Sequence, residues 1–329
     1  MRTDLRSFPL AEATHAGHAL ARLTPPKKSG QEVELLSRLK DIVNIKASSD
    51  YLAAFQRFQG AAAALEATHF EATTLGPLAI GLGNASAYEV GLTLHHTYGV
   101  PYLPASALKG LALRAALKNG MAQEDLDELF GSVGQAGAVH FLDGWLKPEQ
   151  GQTLQLDTIT VHHPDYYASG KEWPTDFDDP NPVTFLSVRP GLTFEVAMLG
   201  RSDWANLAAD LLRWGLTHPG LGGKTNAGYG GFECSKAEQM LAPEKLAERE
   251  RLKAFAGRMQ IYRKAVESLN LIKTKAELPR FLGQWADLPA ELRRELLEQL
   301  LERLQNDART KNDKDLRKLM CKALEEVKA

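Results

Sequence analysis

Apolar positions recur at helical spacing in several stretches of this chain. Trp204, Leu207, Ala208, Leu211, Leu212 and Leu216 fall on one face between 203 and 217. The same pattern predicts helices over 31–46, 48–69, 105–119 and 122–130. The second begins at a Ser48-Ser49-Asp50 cap signal, and Pro104 and Ser106 stand near the start of the third. Extended runs predict strands over 71–83, 139–146, 154–161, 183–189, 192–198 and 229–234. Segment 154–161 is a candidate partner for 139–146, and Pro190-Gly191 predicts a hairpin between 183–189 and 192–198. The resulting order, strand–helix–strand–strand–strand–helix–strand over 72–234, is that of an α+β, ferredoxin-like or RRM-like domain with insertions. Such a sheet often binds single-stranded RNA, although the usual RRM aromatic signature is absent here.

Polar and breaker-rich stretches divide the chain. Residues 1–30 mix Pro, His, Ala and Lys, with a Pro25-Pro26-Lys27-Lys28-Ser29-Gly30 loop, and are expected to form a loose arm. Residues 163–182 carry Pro164, Gly170, Pro174, Pro180 and Pro182 and show no period. That much chain without structure inside a domain suggests a functional insertion. Beyond 240 the pattern turns helical, with Leu292, Leu296, Leu297, Leu300, Leu301 and Leu304 on one stripe. Such a stripe must bury against the main domain or a partner. The expected organisation is an N-terminal arm and helices over 1–70, a core over 71–236 and a helical extension over 237–329.

Composition agrees with a soluble globular protein: 44% hydrophobic and 24% charged over 329 residues. Cys234 and Cys321 form no framework, no signal peptide is visible, and no apolar run approaches the ~20 residues that span a bilayer. A cytoplasmic protein without membrane contact is expected. Residues 236–329 hold 21 Lys and Arg against 16 Asp and Glu, while the remainder holds 18 against 25. A mildly acidic main domain is not the profile of a free-standing nucleic-acid binder, so any RNA contact is expected to be local or shared with other subunits.

The candidate chemistry centres on residues 220–231, Gly-Leu-Gly-Gly-Lys-Thr-Asn-Ala-Gly-Tyr-Gly-Gly. Gly222, Gly223, Lys224, Thr225, Asn226, Gly228 and Tyr229 offer backbone amides, one cation, small hydrogen-bonding groups and one ring, which suits a phosphate. A Walker A P-loop is excluded, because the position that requires glycine is His218 and a helix precedes the loop. Lys109, with Arg114, is a second choice, near a helix start that would favour an anion. His95-His96 and His162-His163 invite metal or acid–base readings. Adjacent residues on a strand face opposite ways, so neither pair chelates alone, and no third ligand stands at metal-like spacing. Asp176, Asp178 and Asp179 suit Mg²⁺ or a solvated loop tip. No metal and no cofactor are expected.

A family resemblance narrows the reading. Gly81-Leu-Gly83, Glu89-x-Gly91, Gly99-Val-Pro-Tyr-Leu-Pro-Ala-Ser-Ala-Leu-Lys-Gly110, Phe130-Gly131-Ser132 and the Gly-rich loop occur in that order. Together they resemble the RAMP superfamily of CRISPR proteins over about 70–235. Asp157-x-Ile-Thr-x-His-His-Pro-Asp-Tyr-Tyr and Asn181-Pro-Val-Thr-Phe-Leu-x-Val-x-Pro-Gly point within it to subunits of the type III-B Cmr effector complex. The resemblance implies a noncatalytic subunit near the 3′ end of the guide RNA, capping the stack of backbone subunits. Implied partners are guide (crRNA) and target RNA, the backbone RAMP subunit, the small helical subunit and the other end-capping RAMP subunit. It makes 163–182 a thumb, with His162, His163, Tyr166, Tyr167 and Trp173 as contact candidates. It also keeps an alternative open, a metal-independent guide-processing endoribonuclease that uses a histidine base.

Overall fold

The structure is a computed structural model. It describes residues 9–10, 13–23, 32–84, 86, 90–171, 173–268, 283, 285, 288, 290–306, 310, 313–315, 318, 320–321 and 323. Glu89 and the 25–30 loop lie outside these. Two compact units divide the chain, 1–242 and 243–329.

In the first unit, α1 (Ala16–His18) runs on into a further turn, followed by α2 (Glu32–Val43), α3 (Ser49–Ala64) and β1 (Thr68–Thr74). Next come β2 (Tyr102–Leu103), α4 (Ala105–Lys118), α5 (Gln123–Phe130), β3 (Gly131–Ser132), β4 (Gln135–Ala136), β5 (Val139–Phe141) and β6 (Gly144–Leu146). A hairpin of β7 (Leu154–Val161) and β8 (Asn181–Val188) carries α6 (Pro164–Ser169) at its tip. Then follow β9 (Thr193–Gly200), α7 (Ser202–Thr217), β10 (Phe232–Cys234) and β11 (Glu238–Gln239).

The main sheet is antiparallel, in the order β10-β1-β9-β6-β2, with β11 also on β1 and β5 also on β9. With α4 and α7 as its two helices this is a ferredoxin-like arrangement, as expected, although the expected run of three strands between the helices is split, β7 and β8 forming a separate sheet. Alternation along β1 buries Thr68, Phe70, Ala72 and Thr74, opposite Met198, Val196 and Phe194 of β9 for the first three. That face shares one core with Leu108, Leu111 and Ala112 of α4 and Ala208, Leu212 and Leu216 of α7. Gly215 permits the helix contact, since a Cβ there would sit 2.7 Å from Leu111 Cγ.

The opposite face is not an open RNA platform. Ala62 of α3, Ala67 and Ala197 form a small buried cluster with Phe58 and Leu199. Trp145 stacks against Tyr51 and Phe58, at 5.8 and 5.2 Å between ring centroids. The carboxylates of Glu195 and Glu71 on this face are paired. Buried Glu195 is bonded to His69, and Glu71 accepts from Lys147 Nζ at 2.6 Å. A sheet face partly covered by α3, with these carboxylates paired, is not the open ring-bearing platform of an RRM, so the RRM analogy stops at topology.

Two expected pairings differ. Strand β7 pairs with β8 over its whole length, not with 139–146. Pro190-Gly191 does not close a hairpin either, because β8 belongs to the second sheet and β9 to the main one. The end of β1 captures that corner. Thr74 Oγ1 donates to Arg189 O at 3.1 Å, and Gly191 N–H donates to Thr74 O at 2.7 Å. The 163–182 segment also has structure, since it holds α6 and the start of β8. Of the expected N-terminal arm, Leu10, Ala16 and Ala19 are buried in the main core.

In the second unit, α8 (Pro243–Ser268) and α9 (Ala290–Asn306) share a core. Leu296, Leu297, Leu300 and Leu304 bury there beside Val266 and Trp285.

Candidate nucleic-acid interface

The Gly-rich loop is folded back on itself. Leu221 and Gly230 pair through Leu221 N–H to Gly230 O at 2.8 Å, and Gly230 N–H reaches Pro77 O at 2.8 Å. Buried Leu221 pins the loop into the core. Gly230 has φ +67°, and a Cβ there would lie 1.9 Å from Leu221 O. Lys224 has φ 59° and opens a 3₁₀ turn over Thr225–Ala227, and Gly228 closes that turn at φ +86°. A left-handed non-glycine costs about 1–2 kcal/mol, so the surrounding hydrogen bonds must impose it. They do: Lys224 O accepts from Ala227 N–H at 2.9 Å and from Tyr229 N–H at 3.3 Å.

The expected cradle is only partly available. Gly223 N–H already donates to Ala79 O at 2.8 Å. Gly222, at φ +92°, keeps an amide with no backbone acceptor among the described residues. Thr225 and Asn226 side chains likewise have no partner among the described residues. Lys224 Nζ lies 5.8 Å from the ring centroids of both Phe185 and Tyr229 and pairs with no described carboxylate. Tyr229 is a shelf rather than a free stacking ring. Its hydroxyl donates to Asp157 Oδ2, and burial, then Asp157, push its pKa up to about 12.

Phe185 and Asp157 face each other across the β7–β8 hairpin. The loop is therefore built onto the hairpin's root. The tip carries Tyr166, Tyr167, Trp173 and Phe177 at 41, 71, 87 and 95% exposure. Rings that exposed contribute nothing to the core and are free to stack on bases. Phe177 is not legible in the sequence as a contact ring, because Asp176, Asp178 and Asp179 around it make the segment read as charge. The tip is braced by His163 Nδ1 to Asp178 Oδ2 at 2.8 Å and by Thr175 Oγ1 to Asp178 Oδ1 at 2.7 Å. The Thr175 and His163 bonds hold the Asp178 carboxyl below its usual range. His162 is exposed beside them.

Comparison with known proteins shows what this arrangement is similar to. The RAMP superfamily model matches residues 71–233. That stretch, just under half of the chain, is similar to the RAMP superfamily. "CRISPR system Cmr subunit Cmr6" of Pyrococcus furiosus is 29% identical, over 48% of this chain and 65% of that protein. "CRISPR system CMR subunit Cmr6" of Saccharolobus solfataricus is 28% identical, over 51% of this chain and 58% of that protein. The chain thus spans somewhat under two thirds of each relative's length. A chain in a cryo-EM structure of Type III-B Cmr-beta bound to cognate target RNA shares the fold. Its TM-score is 0.54 at 22% identity, covering 66% of this chain and 79% of that one.

Within the matched stretch, Lys109 is half-buried and Arg114 exposed on α4, both without ion pairs among the described residues. The helix start is not an empty anion site, as Ala105 N–H already donates to Asp143 Oδ1 at 2.7 Å. Ser106 is exposed and does not cap, and Pro104 is the cap residue. The histidine pairs occupy different surroundings. His95 lies in an aromatic group with Tyr98, Tyr102 and Trp145, where burial lowers its pKa. His96 O accepts from His15 Nε2 at 2.9 Å. Among the described residues no group of three His, Cys, Asp or Glu side chains is arranged to hold a metal, and no helix is long and apolar enough to cross a membrane.

Proposed function

We propose that this chain is a noncatalytic, cytoplasmic RNA-binding subunit of a type III-B CRISPR effector, capping the backbone stack near the guide 3′ end. One observation carries the reading. A lysine without a carboxylate partner stands at the root of a hairpin whose tip displays four exposed aromatic rings. Phosphate contact at the root fixes an RNA strand without reading sequence, and rings at the tip take bases of any identity. That combination suits a guide, whose sequence varies. The names of the relatives, Cmr6 in two archaea, support membership of the effector. Partners on this reading are guide and target RNA, the backbone RAMP subunit, the small helical subunit and the opposite capping subunit.

The test is binding of fluorescent single-stranded RNA to the purified chain. Replacing Tyr166, Tyr167, Trp173 and Phe177 by Ser is expected to leave the melting temperature unchanged, because the rings are exposed. RNA affinity is expected to fall, by about 1–3 kcal/mol for each base that loses its ring. Equal affinity in wild type and variant would remove the tip from the interface. Incubation with labelled repeat RNA in EDTA is expected to give no discrete products. Cleavage that disappears in a His163→Ala or His95→Ala variant would overturn the noncatalytic assignment in favour of the endoribonuclease.

A further inference from the structure

The β7–β8 hairpin has two faces, and the loop of Lys224 occupies one. Residues directly opposite in an antiparallel pair share a face, and successive pairs alternate. Asp157 and Phe185 therefore face the loop, while the neighbouring pair Leu156 and Leu186 lies on the other side. Leu154, in the same alternation as Leu156, is buried in one core with Leu39 and Ile42 of α2. Between the end of α2 and the hairpin root lies a cleft of about 430 Å³, lined by Leu154 and Leu156 of that second side and, at the strand edge, by Gln155 of the loop side.

The cleft is cationic in an acidic domain. Its charged lining residues are Lys40 and Arg189, and among the described residues no carboxylate lines it. Lys40 and Arg189 are exposed, and neither has an ion pair among the described residues. The remaining polar lining is amide: Asn44, Gln152 and Gln155. Two of these amides order the arginine. Gln152 Nε2 donates to Asn44 Oδ1 at 2.6 Å, and Gln152 Oε1 accepts from Arg189 Nη1 at 3.2 Å. One guanidinium hydrogen bond to a neutral amide leaves the other donors of the planar fork for an oxyanion, and Arg suits phosphate bidentately. Neutral amides beside it can meet ribose hydroxyls or base edges. A carboxylate-free cleft with an oriented guanidinium, an unpaired ammonium and amides matches a phosphodiester strand.

We propose that this cleft is a second phosphate-binding subsite for single-stranded RNA, between α2 and the hairpin root. One strand is then gripped at two places near the hairpin root, with the aromatic tip at the hairpin's other end. This rests on the RNA-binding reading above and adds to it a place and two residues. It also explains how a domain with excess acid holds RNA: the cations are few but bracket one element.

The experiment is a salt titration of single-stranded RNA binding by the full chain, read as the slope of log K against log salt. Each phosphate contact on a single strand contributes about 0.7 to that slope. Lys40→Ala/Arg189→Ala is expected to flatten the slope by about 1.4, and Lys224→Ala by about 0.7. The charge-preserving Lys40→Arg/Arg189→Lys variant is expected to keep the wild-type slope, which separates lost contacts from altered folding. A double-alanine slope equal to wild type, with Lys224→Ala still flattened, overturns the second subsite and leaves the RNA-binding reading standing. Wild-type chain that binds no RNA at low salt overturns both. Displacement of the RNA by polyglutamate as readily as by unlabelled RNA overturns the subsite as an RNA site and makes it an acidic-peptide site.

Discussion

Tyr229 shows how one side chain ties the loop to the hairpin. Its hydroxyl donates to Asp157, and Asp157 also accepts from Thr158 N–H at 2.8 Å. The folded phenol has its pKa raised to about 12, against about 10 unfolded, so the fold prefers the neutral form. The stabilisation is complete below about pH 10 and is lost as pH climbs through about 12. Tyr229→Phe should lower the unfolding free energy by about 1 kcal/mol at neutral pH, the net worth of one hydrogen bond. The gap between the two proteins in urea unfolding should close across that alkaline range. Tyr51, whose pKa burial also raises, titrates in both proteins and cancels. A gap that stays constant would mean that the folded phenol titrates as it does in the unfolded chain. Phenylalanine keeps the ring beneath Lys224, so RNA affinity should not change in this variant, which separates the brace from the grip.

At the level of elements, the loop tolerates substitution very unevenly. Gly230→Ala combines a left-handed backbone with a Cβ only 1.9 Å from a carbonyl oxygen, and cannot relax without breaking the Leu221–Gly230 bond. It should destabilise by at least about 2 kcal/mol. Gly231, next in sequence, has no heavy atom within 4 Å of its Cβ position and no positive φ. Gly231→Ala should be neutral to slightly stabilising, through loss of unfolded-chain entropy. Equal denaturation midpoints for the two variants would show that the loop is not closed as described. The sequence makes the glycines visible but not the difference between them, because closure depends on Pro77 and Ala79, far off in the chain. The same limit explains the strand errors. Helices 105–119, 122–130 and 203–217 are legible from local period and match α4, α5 and α7 closely. Pairing is non-local, and Thr74 decides the Pro190-Gly191 corner from more than a hundred positions away. The cation pair Lys40 and Arg189 was illegible for that reason too, since only the packing of α2 on the hairpin brings them to one cleft.

The molecule as a whole divides by charge and by core. The RAMP match ends at 233, and the unit over 243–329 lies beyond it. The leucine stripe read from sequence as a face in need of a partner is used internally: Leu296, Leu297, Leu300 and Leu304 bury in that unit's own cluster. What the segment offers a partner is then charge, an excess of Lys and Arg over Asp and Glu where the remainder of the chain has the reverse. We propose that it docks on a neighbouring subunit through that charge, in which case docking should weaken steeply with salt. Truncation after Ala242 tests this on the chain itself. The main unit keeps its whole described core, so its melting transition should stay within a few degrees of its place in the full chain, and single-stranded RNA binding should persist. Assembly with the other effector subunits, followed by size exclusion at low and high salt, should be lost or become salt-sensitive. A truncated chain that assembles as fully as the intact one at every salt concentration would mean that residues 243–329 serve some other purpose. A truncated chain that melts at a much lower temperature would mean that they stabilise the main unit directly.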